Sequence, residues 1–171
     1  MFSQLAGQGS AQYGQSPFEM KGYLSNMQTV IFDKPKEDWI TENLFHNRLN
    51  FHYYGSSLSA SLQIRNRLIY GESIRAFPGY EQSLDHDIGW MDLSANLSSG
   101  NSYILNSGID RMWIKYSSGA FEATAGRQRI NWGQTLVWNP NDIFNSYSYF
   151  EVDYPERPGS DALRLSYYTG N

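Results

Sequence analysis

The chain has 171 residues, a formal net charge of -4 and no cysteine. A length in this range suits one domain, and the acidic balance argues against a nucleic-acid partner, which requires a basic face. Because cysteine is absent, disulfide bonds, thiolate metal sites and thiol nucleophiles are excluded. The 13 Tyr, 9 Phe and 5 Trp are typical of two classes of protein, membrane barrels with aromatic girdles and aromatic-rich carbohydrate-binding β-proteins.

The N-terminal segment, residues 1–17, is rich in Gly, Ser and Gln. It has neither the basic start nor the apolar centre of a signal peptide, so we predict a disordered lead-in and expect that no signal peptide is present in this chain. No apolar run approaches the roughly 20 residues that a transmembrane helix needs. We therefore assign residues 18–171 to a single domain built from strands.

From residue 18 onward, apolar and polar residues alternate with a period of two, which is typical of β-strands with two different faces. The alternation is clearest from Phe45 to Tyr53 and from Leu58 to Tyr70, and only Gly55-Ser56-Ser57 separates these two segments. They are therefore predicted to form a hairpin. In total we predict six strands, near residues 18–32, 40–54, 58–70, 103–116, 120–130 and 161–170.

The connections between these strands alternate in length. Those near 55–57 and 117–119 are tight, whereas 71–102 and 131–160 are long loops, and outer-membrane barrels have this asymmetry. Residues 88–97 also alternate, but counting them as a strand would reverse the order of short and long links. We place them inside the 71–102 loop as a hairpin or a short helix.

The predicted fold class is all-β, an antiparallel up-and-down outer-membrane β-barrel. Six strands do not close a membrane barrel, for which about eight is the minimum. Residues 18–171 are therefore interpreted as an open N-terminal fragment of one barrel domain.

The last third of the chain contains four short blocks in a fixed order. They are Ile109 to Tyr116, Gly126 to Gly133, Asn139 to Phe144 and Glu156 to Arg164. This order resembles the large, mostly uncharacterised porin-like outer-membrane β-barrel proteins of Gram-negative bacteria. The resemblance implies a barrel fold and an outer-membrane location. It implies no particular solute, because the family has no agreed substrate.

The polar face of the predicted strands is rich in bases. If the apolar face meets lipid, these bases point into the lumen, because Arg or Lys at mid-depth on the lipid face costs about 2–4 kcal/mol. The predicted pore-lining residues are Arg48, Arg65, Arg67, Arg111, Lys115 and Arg164. Such a wall concentrates anions, so we predict passive passage of small polar or anionic solutes. The alternative is that these bases only pair with a loop and hold it.

The loop at 131–160 carries the acids that would oppose the bases. They are Asp142, Glu151, Asp153 and Glu156, with Arg157 as the one cation among them. A loop of this length is usually functional or mobile. We predict that it folds into the lumen and forms a constriction with acids on one side and bases on the other. The alternative is a solvated loop lying across the mouth of the barrel.

Motifs for catalysis are absent from the sequence: it has no Gly-rich phosphate loop and no Gly-x-Ser-x-Gly elbow. We therefore expect no enzyme activity, no metal site and no cofactor. The expected partners are outer-membrane lipid and small polar or anionic solutes, with no nucleic acid, and a homo-oligomer is compatible with the sequence. Two other interpretations stay open. One is a soluble, secreted β-sandwich or barrel that binds carbohydrate through its aromatic residues; the other is a structural barrel with a blocked lumen.

Overall fold

The computed structural model describes residues 16–32, 34, 39–85, 87, 89–130 and 159–169. The elements in chain order are β1 (Phe18–Ile31), β2 (Ile40–Tyr54), β3 (Leu58–Gly71), α1 (Ser73–Ala76), α2 (Tyr80–Leu84), β4 (Ser94–Gly100), β5 (Tyr103–Ser118), β6 (Phe121–Gln128) and β7 (Ser160–Tyr167). Six of these strands lie within three residues of the predicted limits. The all-β prediction is confirmed.

The strands form one antiparallel sheet. Its order is β1-β2-β3-β5-β6-β7, and β4 pairs with β5 off this path. Apart from β4, the strands follow one another across the sheet in chain order, and the antiparallel arrangement is confirmed. The sheet is not closed, because β1 and β7 are its two edges. Among the described residues, no helix has the length and hydropathy to cross a membrane.

Strand β4 differs from the prediction of six strands. It forms a hairpin with β5, and the two share the pairs from Ser94–Gly108 to Gly100–Tyr103. Strands β4 and β6 share one edge of β5: β4 pairs with residues 103–108 of β5, and β6 pairs with residues 112–118. A seventh strand is therefore added without reversing the order of the others. The predicted 71–102 loop is correspondingly shorter, and only residues 72–93, with α1 and α2, connect β3 to β4.

The register assigns every strand residue to one of two faces, because direct cross-strand partners lie on the same face. One row of partners is Met20, Phe51, Leu62 and Met112, and this side is the apolar face. The opposite row is Ser25, His46, Arg67 and Asn106, and this side is the polar face. Across β1, β2, β3 and β5 the register places no charged side chain on the apolar face. In β6 and β7 the register pairs Met112 with Arg127 and Arg127 with Asp161, so this ion pair is an exception to the separation of the faces.

Exposure on the two faces is the reverse of that in a water-soluble sheet, which buries its apolar side chains. On the apolar face, Phe18 is 71%, Leu24 68% and Leu165 61% exposed. On the polar face, His46 is 2% and Arg48 1% exposed. The sheet therefore encloses its charged side and leaves its apolar side open.

A single row of polar side chains crosses the middle of the apolar face. Asn66 donates to Asn47 Oδ1 at 3.1 Å and accepts from Ser107 Oγ at 2.8 Å, while Asn47 donates to the Tyr23 carbonyl at 3.1 Å. The three side chains thus hydrogen-bond along the row. A polar group removed from water needs such a partner, so the row is compatible with an apolar surrounding.

Candidate functional site

The six predicted pore-lining bases all lie on the polar face. Arg48 is opposite Arg65, Arg67 is opposite Asn106, and Arg111 is opposite Gln63. Lys115 and Arg164 are both partners of Thr124. The four predicted constriction residues, Asp142, Glu151, Asp153 and Glu156, lie outside the described residues.

A β-bulge in β5 adds an acid that the sequence analysis did not select. Arg111 is opposite Gln63 and Ile109 is opposite Ile64, so Asp110 is the extra residue between them. Bulges re-aim side chains, and the Asp110 side chain lies among the bases of the polar face, 7% exposed. The signal in the sequence is the spacing of Ile109 and Met112, which share the apolar face although three residues apart.

Asp110 lies between two arginines that face each other across β2 and β3. Its carboxylate contacts Arg48 Nη1 at 2.5 Å and Arg65 Nε at 3.4 Å. Arg48 also donates to Gln63 Oε1 at 2.9 Å and to Asn50 Oδ1 at 3.1 Å. A buried charge is tolerated when it is paired and hydrogen-bonded in this way. Arg48 is thus a buried partner of Asp110, and Arg65 is the more exposed of the two arginines.

A second acid, Glu122, lies between two bases near the other end of the sheet. Its carboxylate is 3.4 Å from Lys115 Nζ and 3.4 Å from Arg164 Nη2. The three residues come from β5, β6 and β7, whose alternation brings them to the same face. Among the described residues, the polar face therefore holds two clusters in which an acid lies between two bases.

The described residues of 72–93, a segment that we call the inner loop, lie against the polar face. Beneath α1 is a row of apolar partners, Leu44, Ile69 and Ile104, which are at most 5% exposed. Helix α1 contacts β2 and β3, the two strands that carry Leu44 and Ile69. This small core anchors the start of the inner loop to the inside of the sheet.

Hydrogen bonds hold the inner loop along its length. Glu42 Oε2 accepts from Ser73 Oγ at 2.5 Å and from Tyr80 Oη at 2.8 Å. The Leu84 carbonyl accepts from Arg67 at 3.1 Å and from Asn106 at 3.3 Å. The inward-folded loop predicted from the sequence is 131–160 and not this connection. Only the length of the 71–102 segment signals it in the sequence.

The inner loop ends at a fork, the point near Ile109 where β4 and β6 share one edge of β5. Arg127 occupies this fork and contacts Asp87 at 2.5 Å and Asp161 at 2.9 Å. It also donates to the Met91 carbonyl at 2.5 Å and to the Ile109 carbonyl at 3.4 Å. The Arg127 side chain is 5% exposed. One guanidinium therefore joins the inner loop, β5, β6 and β7.

Glycines make room for this guanidinium. Gly126 has a φ of +114°, which L side chains rarely adopt, and a Cβ there would collide with the Met112 carbonyl. A Cβ on Gly89 would collide with the Arg127 guanidinium itself. The course of the chain through the fork thus depends on glycine at both positions.

The charge of Asp87 is favoured by its partners at the fork. Burial by itself raises the pKa of Asp87, but the hydrogen bond from Arg127 and those from the Gly89 and Leu93 amides lower it. The balance leaves the pKa of Asp87 below its usual range. Asp87 therefore stays ionised at neutral pH.

The described residues contain no group of three or more His, Asp or Glu side chains arranged to hold a metal ion. No protein-family model, curated protein or solved structure matches the chain significantly. The resemblance to porin-like outer-membrane proteins thus stays a prediction from the sequence.

Proposed function

We infer that this chain forms part of the wall of a Gram-negative outer-membrane β-barrel that passes small polar solutes without catalysis. The observation that carries this proposal is the inverted sheet, with its apolar face open and its charged face enclosed. In a bilayer the apolar face would meet acyl chains, while the strand ladders satisfy the backbone N–H and C=O groups. In water the same face would be a large exposed apolar patch, which soluble monomers rarely carry.

The dimensions of the apolar face support the same proposal. Aromatic side chains lie toward both ends of it. They are Phe18, Tyr53, Tyr116, Phe121 and Tyr167 at the end with the tight turns, and Phe45, Tyr70 and Tyr103 at the other. On β3, the partner of Tyr53 is Ala60, ten residues from Tyr70. At about 3.4 Å per residue and a tilt of about 40°, this distance spans about 26 Å. The apolar band of membrane barrels is about 25 Å tall.

A soluble carbohydrate-binding sandwich would pack these apolar residues against a second layer. In the part of the chain that the structure describes, the strands form one sheet. The inner loop, which carries both helices, is bonded to Glu42, Arg67 and Asn106 of the polar face. The open apolar face therefore favours the membrane proposal over the soluble one.

We assign the constriction to the inner loop. It is anchored on the polar face of β2 and β3 at one end and at Arg127 of β6 at the other, so it crosses the enclosed side of the sheet. In a closed barrel this position would narrow the lumen. Loops folded inside a barrel limit the size of the solutes that pass.

The absence of native cysteine allows a direct test of which face meets lipid. Leu165 and Ser166 are neighbours on β7 and lie on opposite faces. Each is changed to Cys, labelled with a small fluorophore and reconstituted into vesicles with brominated acyl chains. We expect strong quenching at Leu165→Cys and weak quenching at the matched Ser166→Cys. Equal quenching, or a chain that stays monomeric and soluble without detergent, would contradict the proposal.

Single-channel recording of a closed barrel that contains this chain, in planar bilayers, tests the constriction. Residues 73–84 are replaced by a Gly/Ser linker of the same length, which keeps the strands and the fork but removes α1 and α2. We expect larger conductance than in the unchanged barrel, because the lumen is wider. Equal conductance would rule out the constriction role. The absence of any conductance from inserted protein would rule out the channel.

A further inference from the structure

The polar face carries aromatic side chains where it approaches the tight turns. One row of cross-strand partners there runs from β2 to β7 through His52, Ser61, Trp113, Gly126 and Ala162. The Trp113 indole thus has a serine on one side and a glycine on the other. Because Trp113 is only half-buried and its direct partners are small, there is room beside the ring for a flat molecule.

Two cations lie in the next row toward the tight turns. Lys115 and Arg164 are the direct partners of Thr124 on its two sides. Among the described residues, each of the two basic side chains donates one hydrogen bond, to Glu122 at 3.4 Å. This distance exceeds the roughly 2.7–2.9 Å of a charge-assisted hydrogen bond, and ammonium and guanidinium groups have several donors. Both cations therefore keep N–H groups for a further acceptor.

The Thr124 hydroxyl lies between these two cations in the register. Thr124 is 3% exposed, and its Oγ1 has no hydrogen-bond partner in the part of the chain that the structure describes. Most buried hydroxyl groups in proteins do have a partner. An anion bound to Lys115 and Arg164 would offer an acceptor to this hydroxyl, so Thr124 supports an anion-binding role for the row.

The indole and the cations are close enough together to bind one small molecule. Trp113 and Lys115 are two residues apart on β5, which places their Cα atoms about 7 Å apart. The fork lies further along the sheet, near Ile109. On β3 the partners of Trp113 and Ile109 are Ser61 and Ile64, three residues or about 10 Å apart. The indole and the cations thus lie between the inner loop and the tight turns.

We propose that Trp113, Lys115, Arg164 and Thr124 form a binding site for small aromatic carboxylates. This proposal rests on the proposed channel function and deepens it by naming a class of solute. The carboxylate binds the two cations through charge-assisted hydrogen bonds, while the ring stacks on the indole. A sugar acid fits less well, because its hydroxyls need partners and the direct partners of Trp113 are a buried serine and a glycine.

Isothermal titration calorimetry of the chain in detergent micelles tests this proposal, with sodium benzoate as the probe and empty micelles as the blank. Benzoate should bind more tightly than acetate, which lacks the ring, and more tightly than benzyl alcohol, which lacks the charge. Gluconate represents the sugar acids and should bind no more tightly than acetate. If gluconate bound more tightly than benzoate, the proposed solute class would be wrong.

Variants of the site test which side chains bind the ring and which bind the carboxylate. Trp113→Leu should weaken benzoate binding about 2- to 10-fold, the effect of one aromatic pair, and leave acetate binding unchanged. Lys115→Gln/Arg164→Gln should weaken the binding of both acids about 10-fold or more, because charge-assisted hydrogen bonds are lost. If Trp113→Leu weakened both acids equally, the indole would have only a structural role, which would overturn the proposal.

The matched controls lie away from the site. Trp39→Leu removes an indole that is 51% exposed and lies just before β2, at the opposite end of the sheet. Lys21→Gln removes a base from the polar face of β1, four strand spacings from β6 or about 19 Å. Neither change should alter the Kd for benzoate, and an equal loss in a control and in its matched site variant would contradict the assignment.

A second variant and a second measurement keep the outcomes separate. Should the double variant fail to fold, Arg164→Gln alone, with the more exposed of the two bases, is expected to weaken benzoate binding. If lipid quenching distinguishes Leu165→Cys from Ser166→Cys but benzoate does not bind, this site alone is refuted. If the quenching is equal, the proposed function is refuted as well.

Discussion

Changing Leu49 to Arg should lower the free energy of unfolding in a lipid bilayer by about 2–4 kcal/mol, the cost of Arg at mid-depth on a lipid-facing surface. Leu49 lies on the apolar face of β2, opposite Gly22 and Ile64 and midway between Phe45 and Tyr53. In a bilayer, a guanidinium at this position would have no water within reach. The equilibrium unfolding of the chain by urea in phosphatidylcholine vesicles measures the effect.

Leu58→Arg provides the matched control. Leu58 is on the same face but lies at the end of β3, opposite Tyr116. The cost of a charge falls to about 0–1 kcal/mol near the membrane interface, so this change should be nearly neutral. Equal losses for the two variants would contradict a bilayer around the apolar face, because an aqueous surface has no such dependence on depth.

Changing Arg127 to Met should cost about 3–5 kcal/mol, because removing one partner of a buried ion pair leaves uncompensated charge. Asp87 and Asp161 would then share the fork without a cation, although their side chains are only 12% and 10% exposed. The Met91 carbonyl would also lose its donor. The loss should appear in urea titrations and as increased proteolysis within the inner loop.

Two further variants test whether unpaired buried charge causes the loss of stability in Arg127→Met. Arg164→Met breaks an exposed ion pair and should cost at most about 1 kcal/mol. The combination Arg127→Met/Asp87→Asn/Asp161→Asn removes the unpaired charges and should recover a large part of the loss. If Arg127→Met cost no more than Arg164→Met, the fork would not be the point that joins the inner loop to the sheet.

The same fork should respond to acid. The pKa of Asp87 is lower in the folded chain than its ordinary value, which is about 3.9 in an unfolded chain. Its contribution to stability is therefore complete above the unfolded pKa and is lost as the pH falls through the folded pKa. We expect the free energy of unfolding to decline below about pH 4 and to decline less in Asp87→Asn.

Much of the fold could be predicted from the alternation alone. From Phe45 to Tyr53 the period of two is broken only by Asn47, and from Leu58 to Tyr70 only by Asn66 and Ile69. Register follows from this alternation because a slip of one residue exchanges the two faces. The same pattern placed six bases on one face before any contact was known. The position of residues 88–97 could not be predicted in this way. Their alternation is equally compatible with a strand in the main path of the sheet and with a hairpin that pairs off this path.

The sequence by itself thus determined the strands, their order along the main path and the separation of charged from apolar faces, since each depends on local periodicity. Only the tertiary structure decided which groups meet. Asp110 reaches Arg48 through a bulge, the inner loop is bound at Glu42, and Arg127 joins Asp87 to Asp161 across 40 and 34 residues of chain. Such contacts depend on the bulge in β5, on the fork between β4 and β6 and on the path of the inner loop. No short-range pattern in the sequence encodes that geometry.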